Sequence, residues 1–431
     1  MNNKIVFLQS FIATRWCNRF TTKEELRSFQ EKKLITHFAF LRRHSSYFEK
    51  FPQLTSLNQI ANLPIMDKST MMGHFNTMNT VGLDKDTALE IAINSEKSRD
   101  FNKMYNGISV GLSSGTSGHR GLFIVSEQER YAWAGAVLAK YLPKGDLFGH
   151  RVAFFLRANN NLYETVGSRI IKFRYFDMYK DVNENITDLA VFDPTILVAP
   201  PSMLGIIADK IEAGELSITP QKIISVAEVL TEKDQKRFKK VFCKKTIFQA
   251  YQCTEGFLAY TCEEGSLHLN EDIVYIEKEF LDDKRFVPII TDFRRTSQPI
   301  IRYRLNDILV ASTSKCPCGS VMSVIDRIEG REDDIFLFKD KTGKIIKVFS
   351  DIMGRCLLYV EDVKEYRIVQ TDHDKLDIYI DNTSVTVQKA ITDEIERLAQ
   401  KLLFSPPKLS YKQYSYELGK KLKRIERQYN K

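Results

Sequence analysis

The chain has 431 residues, 43% hydrophobic and 27% charged, a globular composition that excludes a disordered or low-complexity protein. Its net charge of +8 is local: residues 401–431 hold nine Lys/Arg against two Glu, so the rest is near neutral and a uniformly basic nucleic-acid binder is excluded. Seven cysteines, an odd number, make no disulfide framework and point to a reducing cytoplasm.

In chain order, the first 60 residues read as helical. The stretch MNNKIVFLQSFIATRWC is broken by Arg15 and lacks a small-residue cleavage site, so it reads as a first helix rather than a signal peptide. Thr22 and Glu25 have capping-box spacing and open a helix expected to run to about Phe48. Pro64 and the Met-rich stretch Met66–Met78 form a connector. From Gly107 short β-rich runs alternate with helical ones: 107–112, 126–142, 151–156, 163–172, 195–199, 201–212, 223–226 and 232–241. That alternation predicts a mostly parallel sheet covered by helices. Three strand-like runs (DIVYIEKEF, VPIITDF, PIIRYRL) predict an antiparallel β-rich subdomain. After Asp334 come strands at 335–338, 366–371 and 376–380 and a helix at about 387–402, a small α+β unit. The expected fold is therefore α/β. It has a helical segment (1–60), a large domain of mixed and parallel sheets (61–330) and a small mobile C-terminal domain (334–431). No apolar run reaches the ~18 residues of a membrane span.

Four segments carry chemistry. Ser113-Ser114-Gly115-Thr116-Ser117-Gly118-His119-Arg120 follows a strand and is expected to lead into a helix. Glycines free the backbone to point N–H groups inward, and hydroxyls and cations add donors for a polyphosphate. The Gly-Lys-Ser/Thr ending of a Walker loop is missing. In Tyr251-Gln252-Cys253-Thr254-Glu255, an aromatic can stack on a base, a hydroxyl can reach a phosphate and a carboxylate can hold Mg2+. Asp307 ends a strand and suits the paired hydroxyls of a ribose. Asp326–Asp334 is a charged, glycine-bearing stretch where a hinge would lie. Separately, Cys262 and His268, then Cys316 and Cys318, offer three thiolates and an imidazole, the donor set of a closed structural zinc site in the part around 260–325.

Taken in order, these segments resemble the adenylate-forming superfamily: a Ser/Thr/Gly loop, Tyr-x-x-Thr-Glu, Tyr-Arg-x-x-Asp and Gly-Arg-x-Asp-Asp. Leu63-Pro64, Ala227-Glu228, Leu267-His268-Leu269-Asn270-Glu271-Asp272 and Cys316-Pro317-Cys318-Gly319 make the phenylacetate–CoA ligase-like branch, with its deazaflavin-coenzyme synthetases, the nearest. The resemblance implies that residues 113–118 hold ATP phosphates. It also implies that Ala227 and Glu228 line the adenine pocket with Tyr251 stacking, and that Thr254 meets the α-phosphate. Glu255 would bind Mg2+, Asp307 would hold the ribose, and Arg331 with Asp333 would form the hinge. It further implies a catalytic lysine near the C-terminus, Lys420 by its preceding glycine or Lys421 by the Lys-x-Lys-Arg pattern. Some members of that branch carry zinc at the cysteine set.

The implied function is ATP- and Mg-dependent activation of an aryl or arylacetic acid as acyl-AMP, then transfer to CoA. The alternatives are an acyl carrier protein, an amine or a cofactor phosphate as acceptor, or a nucleotide-binding module that has lost catalysis. Phe155, Asn161, Tyr163 and Ala199–Ser202 are candidates for the acid pocket. The expected protein is a cytoplasmic monomer or homodimer.

Overall fold

A computed structural model describes residues 2–98, 100, 103–112, 121–157, 171–358, 360, 362–415 and 422–429. The chain divides into two compact units: Met1–Leu305 with Val310–Arg327, and Asn306–Leu309 with Ile328–Lys431. The sequence expectation drew the boundary at 330–334.

The first unit opens on helix α1 (Asn3–Ile12), a π-turn over Ala13–Cys17 and helix α2 (Lys23–His44). Thr22 caps α2 through the Glu25 amide, but the Glu25 carboxylate reaches the Thr21 amide (2.8 Å) rather than Thr22. The helix stops at Ser45, where the backbone turns extended, and resumes for one turn at Ser46–Glu49, so the single helix expected to Phe48 is broken. Leu26, Leu34, Phe38 and Leu41 give α2 a buried face at helical spacing.

Strands β1 (Met104–Tyr105), β2 (Ile108–Leu112) and β3 (Leu122–Ser126) form a small antiparallel sheet. Helix α7 follows at Glu127–Tyr141; between α2 and α7 lie α3 (Ser46–Glu49), α4 (Lys68–Gly73), α5 (Phe75–Met78) and α6 (Lys85–Ser98). Here the capping box is complete, with Ser126 on the Glu129 amide and Glu129 on the Ser126 amide.

The strands that follow are β4 (Arg151–Leu156), β5 (Lys172–Asp177), β6 (Ile196–Ala199), β7 (Lys222–Ser225) and β8 (Phe248–Cys253). They pair in parallel in the order β5-β4-β6-β7-β8. Ile196–Ala199 and Lys222–Ser225 are buried throughout, as strands covered on both faces must be. The covering helices span Val182–Phe192, Pro201–Glu212 and Glu232–Val241. Strand β5 begins at Lys172, where the sequence placed the end of the helix expected over 163–172; residues 163–170 of that helix lie outside the described residues.

The β-rich subdomain continues the same sheet. Strand β9 (Gly256–Thr261) pairs antiparallel with β8, and β10 (Leu267–Leu269) with β9. Strands β11 (Val274–Phe280) and β12 (Arg285–Asp292) form a long antiparallel ladder. The expected strand at 299–305 shrinks to β13 (Tyr303–Arg304), because Arg302 sits at φ 46° and breaks the extended run. Its guanidinium donates to both Glu277 oxygens (3.0 and 2.8 Å) and to Ala61 O (2.9 Å), binding the connector to the sheet.

The second unit has a hairpin, β16 (Phe336–Lys339) with β17 (Ile345–Val348), and a four-stranded sheet. In that sheet β18 (Tyr366–Asp372) and β19 (Lys375–Ile380) are antiparallel, flanked in parallel by β21 (Ile425–Arg427) and β20 (Lys408–Gln413). Strands β14 (Asp307–Ala311) and β15 (Val324–Arg331) each run from one unit into the other. Helix Val385–Leu402 buries Val387, Ile391, Ile395 and Ala399 on the sheet. Buried Gln370 joins hairpin to sheet by bonding both the amide and the carbonyl of Leu337 at 2.9 Å. Among the described residues no helix is long and apolar enough to cross a membrane.

Helix α1 lies so close to α7 that a Cβ on Gly135 would meet Phe7 O at 2.5 Å. Gly135→Ala is expected to cost about 1–3 kcal/mol by overpacking. Thermal unfolding checks this; an unchanged midpoint would refute the close approach.

Candidate active site

Five of the sequence-predicted residues meet at one end of the first unit's sheet: Ala227, Glu228, Tyr251, Thr254 and Glu255. Strands β7 and β8 are parallel, with Ser225 opposite Gln249. Ala227-Glu228 and Tyr251–Glu255 therefore emerge beside each other at the carboxyl ends of adjacent strands, where open α/β sheets bind ligands. Ala227 adopts φ 64°, an uncommon conformation for a residue with a Cβ. It turns the chain sharply, so Glu228 folds back beside the start of helix Pro201–Glu212. Glu228 accepts from Arg157 Nη2 (2.6 Å) and from the Ser202 amide (3.1 Å), and its side chain is 1% exposed. Its carboxylate is thus one half of a buried ion pair that ties the end of β7 to the end of β4.

Tyr251 is buried, whereas Thr254 and Glu255 are half-buried in the turn between β8 and β9. Arg295 fixes this turn by donating to Thr254 O (2.9 Å) and to Ile124 O (3.2 Å). Glu255 lies near the Tyr303 hydroxyl, whose pKa is raised by burial and by the Glu255 charge. Asp292 stands behind the turn: a Cβ on Gly256 would lie 3.2 Å from its Oδ2.

The candidate phosphate loop Ser113–Gly118 lies outside the described residues, but its anchors are defined. It joins two antiparallel strands whose last pair is Leu112 with Leu122, so it leads into a strand rather than the expected helix, and α7 begins only at Glu127. Phe155, a candidate for the acid pocket, is instead core: it is fully buried and stacks on Phe176 at 4.5 Å. Asn161 and Tyr163 lie outside the described residues. Ala199, Pro200 and Pro201 are buried, with Ser202 partly exposed.

Asp307, Arg331 and Asp333 are together in the second unit. Asp307 pairs with Arg331 (3.4 Å), and Asp333 accepts from Asn306 Nδ2 (2.9 Å). Beside them Asp334 is buried and pairs with Lys423 at 2.7 Å. Lys420 and Lys421 lie outside the described residues.

The four metal-type ligands converge in the first unit. The ligand atoms of Cys262, His268, Cys316 and Cys318 all lie within 4.8 Å of one another. Cys262 and Cys316 sulfurs are 3.6 Å apart, and Cys318 Sγ is 3.4 Å from His268 Nε2. A tetrahedral zinc ion with its usual Zn–S and Zn–N bonds has edges of about 3.8 and 3.6 Å. His268 Nδ1 lies 3.2 Å from Met322 O. A carbonyl only accepts, so Nδ1 carries the proton and Nε2 presents its lone pair to the cluster. Gly319, at φ 77°, allows the tight turn that aims both Cys316 and Cys318 at one point. Burial pushes the Cys262 thiol up to about 12, a cost that a bound dication would reverse.

Sequence reasoning missed three residues of the candidate site: Arg157 at Glu228, and Tyr303 and Arg295 at the β8–β9 turn. Arg157 was visible as a cation directly after the apolar run of β4. Tyr303 was visible in the segment that gave Asp307. Nothing local marks Arg295, which reaches the turn across 41 residues of sequence.

No known protein-family profile matches the sequence. A segment of 170 residues is 29% identical to Protein CapK of Staphylococcus aureus, spanning 38% of this chain and 36% of that protein. The fold is similar to that of 2-hydroxyisobutyryl-CoA ligase in complex with 2-HIB-AMP. The TM-score is 0.71 over 94% of this chain and 90% of that one, at 16% identity. It is also similar to the amide bond synthetase McbA from Marinactinospora thermotolerans, at TM-score 0.53 over 74% of this chain and 67% of that one, with 12% identity. The chain has the fold of the adenylate-forming ligases.

Burial raises the Asp292 carboxyl from 3.8 to about 6. The folded protein then holds this proton to higher pH than the unfolded chain, so the stability it contributes is full below about pH 4 and is lost as pH rises to about 6. Denaturant unfolding across that window should show the decline. Asp292→Asn should flatten it, and an equal slope in the variant would refute the assignment.

Proposed function

We propose that this protein activates a carboxylic acid with ATP and Mg2+, forming an acyl-AMP, and passes the acyl group to the thiol of CoA. The observation that carries the reading is the strand-end group in this fold: Ala227-Glu228 beside Tyr251, Thr254 and Glu255. A carboxylate is a poor electrophile because its charge repels nucleophiles and its leaving group would be oxide. Its oxygen attacks the α-phosphorus of ATP, the bond to pyrophosphate breaks, and AMP becomes the new leaving group. The protein's task is to position groups and spread charge.

In this reading residues 113–118 hold the phosphates, and Thr254 donates its hydroxyl to the α-phosphate. Glu255 would hold the metal, with the Tyr303 hydroxyl nearby. Mg2+, when bound, supplies the charge that neutralises pyrophosphate. Tyr251 stacks on the base, and Asp307 takes the ribose hydroxyls. Lys420 or Lys421 stabilises the charge shared between the acid and the α-phosphate. The second unit turns about Arg331–Asp333 between adenylation and thiol attack. An aryl or arylacetic acid is the proposed substrate.

Zinc is proposed for the Cys262, His268, Cys316 and Cys318 cluster. All four positions of a tetrahedral ion are filled by protein, so its role is to hold the β9–β10 edge to the Cys316–Gly319 turn.

Pyrophosphate release, followed with a panel of aryl, arylacetic and fatty acids with and without CoA, tests the reading. Release with one acid, accelerated by CoA and yielding a thioester mass, is expected. Glu255→Gln and the double change Lys420→Ala/Lys421→Ala should each slow adenylation about 100-fold or more. Near wild-type rates in both would overturn the assignment. Release without CoA acceleration would move the acceptor to a carrier thiol, an amine or a phosphate. Metal analysis should find one zinc per chain, lost together with thermal stability in Cys316→Ser.

A further inference from the structure

The first helical segment is apolar on two opposite faces. One face is docked on α7 and fixed there. Ser10 Oγ donates to Ala132 O (2.5 Å), and Arg15 donates to the carbonyls of Ala139, Leu142 and Pro143 at 2.7, 2.8 and 2.8 Å. Arg294 reaches Ser10 Oγ (3.3 Å) and Thr14 Oγ1 (3.4 Å) from the other side. The outward direction is therefore set by structure. Along it run Ile5, Leu8, Ile12 and Trp16, 46, 53, 45 and 48% exposed. Steps of three, four and four residues keep them on one stripe, the last step lying in the wider π-turn. Phe11 meets the Trp16 ring edge-on at 5.6 Å and holds the indole in the stripe. Four large apolar side chains in a row on a rigid surface helix call for a cover.

Charge identifies the cover. The first 23 residues contain Lys4, Arg15, Arg19 and Lys23 and no Asp or Glu. A second copy packed on this stripe by two-fold symmetry would bring the same cations together with no acid in the segment to offset them. An anionic bilayer meets both demands: hydrocarbon for Ile5, Leu8 and Ile12, and negative headgroups for Lys4 and Arg19. The indole then sits at headgroup depth, where Trp is enriched. We propose that residues 3–19 dock this protein on an anionic lipid surface, with α1 lying in the interfacial plane. At ten residues the helix is about 15 Å long, half of what a span requires.

The test is co-sedimentation of the full chain with vesicles of phosphatidylcholine, with and without phosphatidylglycerol, at low and high salt. Expected is binding at least about tenfold tighter with phosphatidylglycerol, weakened by salt, since each surface cation adds roughly 1 kcal/mol. Leu8→Glu/Ile12→Glu changes only exposed residues, so it should keep the wild-type thermal midpoint while losing about tenfold or more in binding. A blue shift of tryptophan emission on binding should vanish in Trp16→Phe, although Trp133 remains. Equal binding to both vesicle types, or undiminished binding by the double variant, would overturn the proposal. So would a dimer in solution that the double variant dissolves, which would make a second copy the cover.

Discussion

Strand Phe248–Cys253 is hydrogen-bonded to a parallel neighbour along one edge and an antiparallel neighbour along the other. The first unit depends on that change of direction. The parallel side brings Ala227-Glu228 level with the strand's end. The antiparallel side forces an immediate reversal through Cys253–Gly256, which leaves Thr254 and Glu255 at the rim. The register shift between Tyr251 and Gln252 absorbs the residue that so tight a reversal displaces. A longer loop would let the carboxylate wander. Here Arg295 grips the turn through the Thr254 carbonyl.

Around this turn the interior carries charge, and each charge is answered. Lys140 pairs with Asp272 at 2.9 Å with both side chains almost wholly buried. Glu129 takes the Thr296 and Ser297 amides and the Ser297 hydroxyl, closing the segment that leads to β13. Arg302 does the same for the connector after α2. Such ion pairs add little net stability over apolar packing, but losing one partner is costly, so they select one arrangement of irregular segments. The irregular stretch 293–302 lies behind the rim, and its conformation is set by these contacts rather than by local propensity.

This explains what was legible in the sequence. Helices Pro201–Glu212 and Glu232–Val241 were readable to the residue, because a proline and a threonine mark their first turns. The parallel core was readable from its apolar runs. Strand β5 was not: KFRYFD alternates imperfectly and leaves its lysine exposed. The break at Arg302 was invisible because its cause is a partner, Glu277, on another strand. The metal-type cluster was legible because ligand chemistry restricts residue identity, whereas packing does not. The ion pairing of Glu228 was hidden, since Arg157 meets it only across the sheet.

The charge surplus that composition placed in the tail now has a physical account. Lys412 pairs with Asp377 (2.7 Å), Lys423 with Asp334 (2.7 Å) and Arg424 with Glu365 (3.3 Å), while Arg427 donates to the Asp333 carbonyl (3.3 Å). Three of these cations fasten the C-terminal stretch of the second unit to acids from earlier in it, and the fourth fastens it to a backbone carbonyl. The tail is thus only in part a solvated basic face. Lys423, two and three residues beyond the candidate lysines, is anchored on the buried carboxylate of Asp334, next to Asp333.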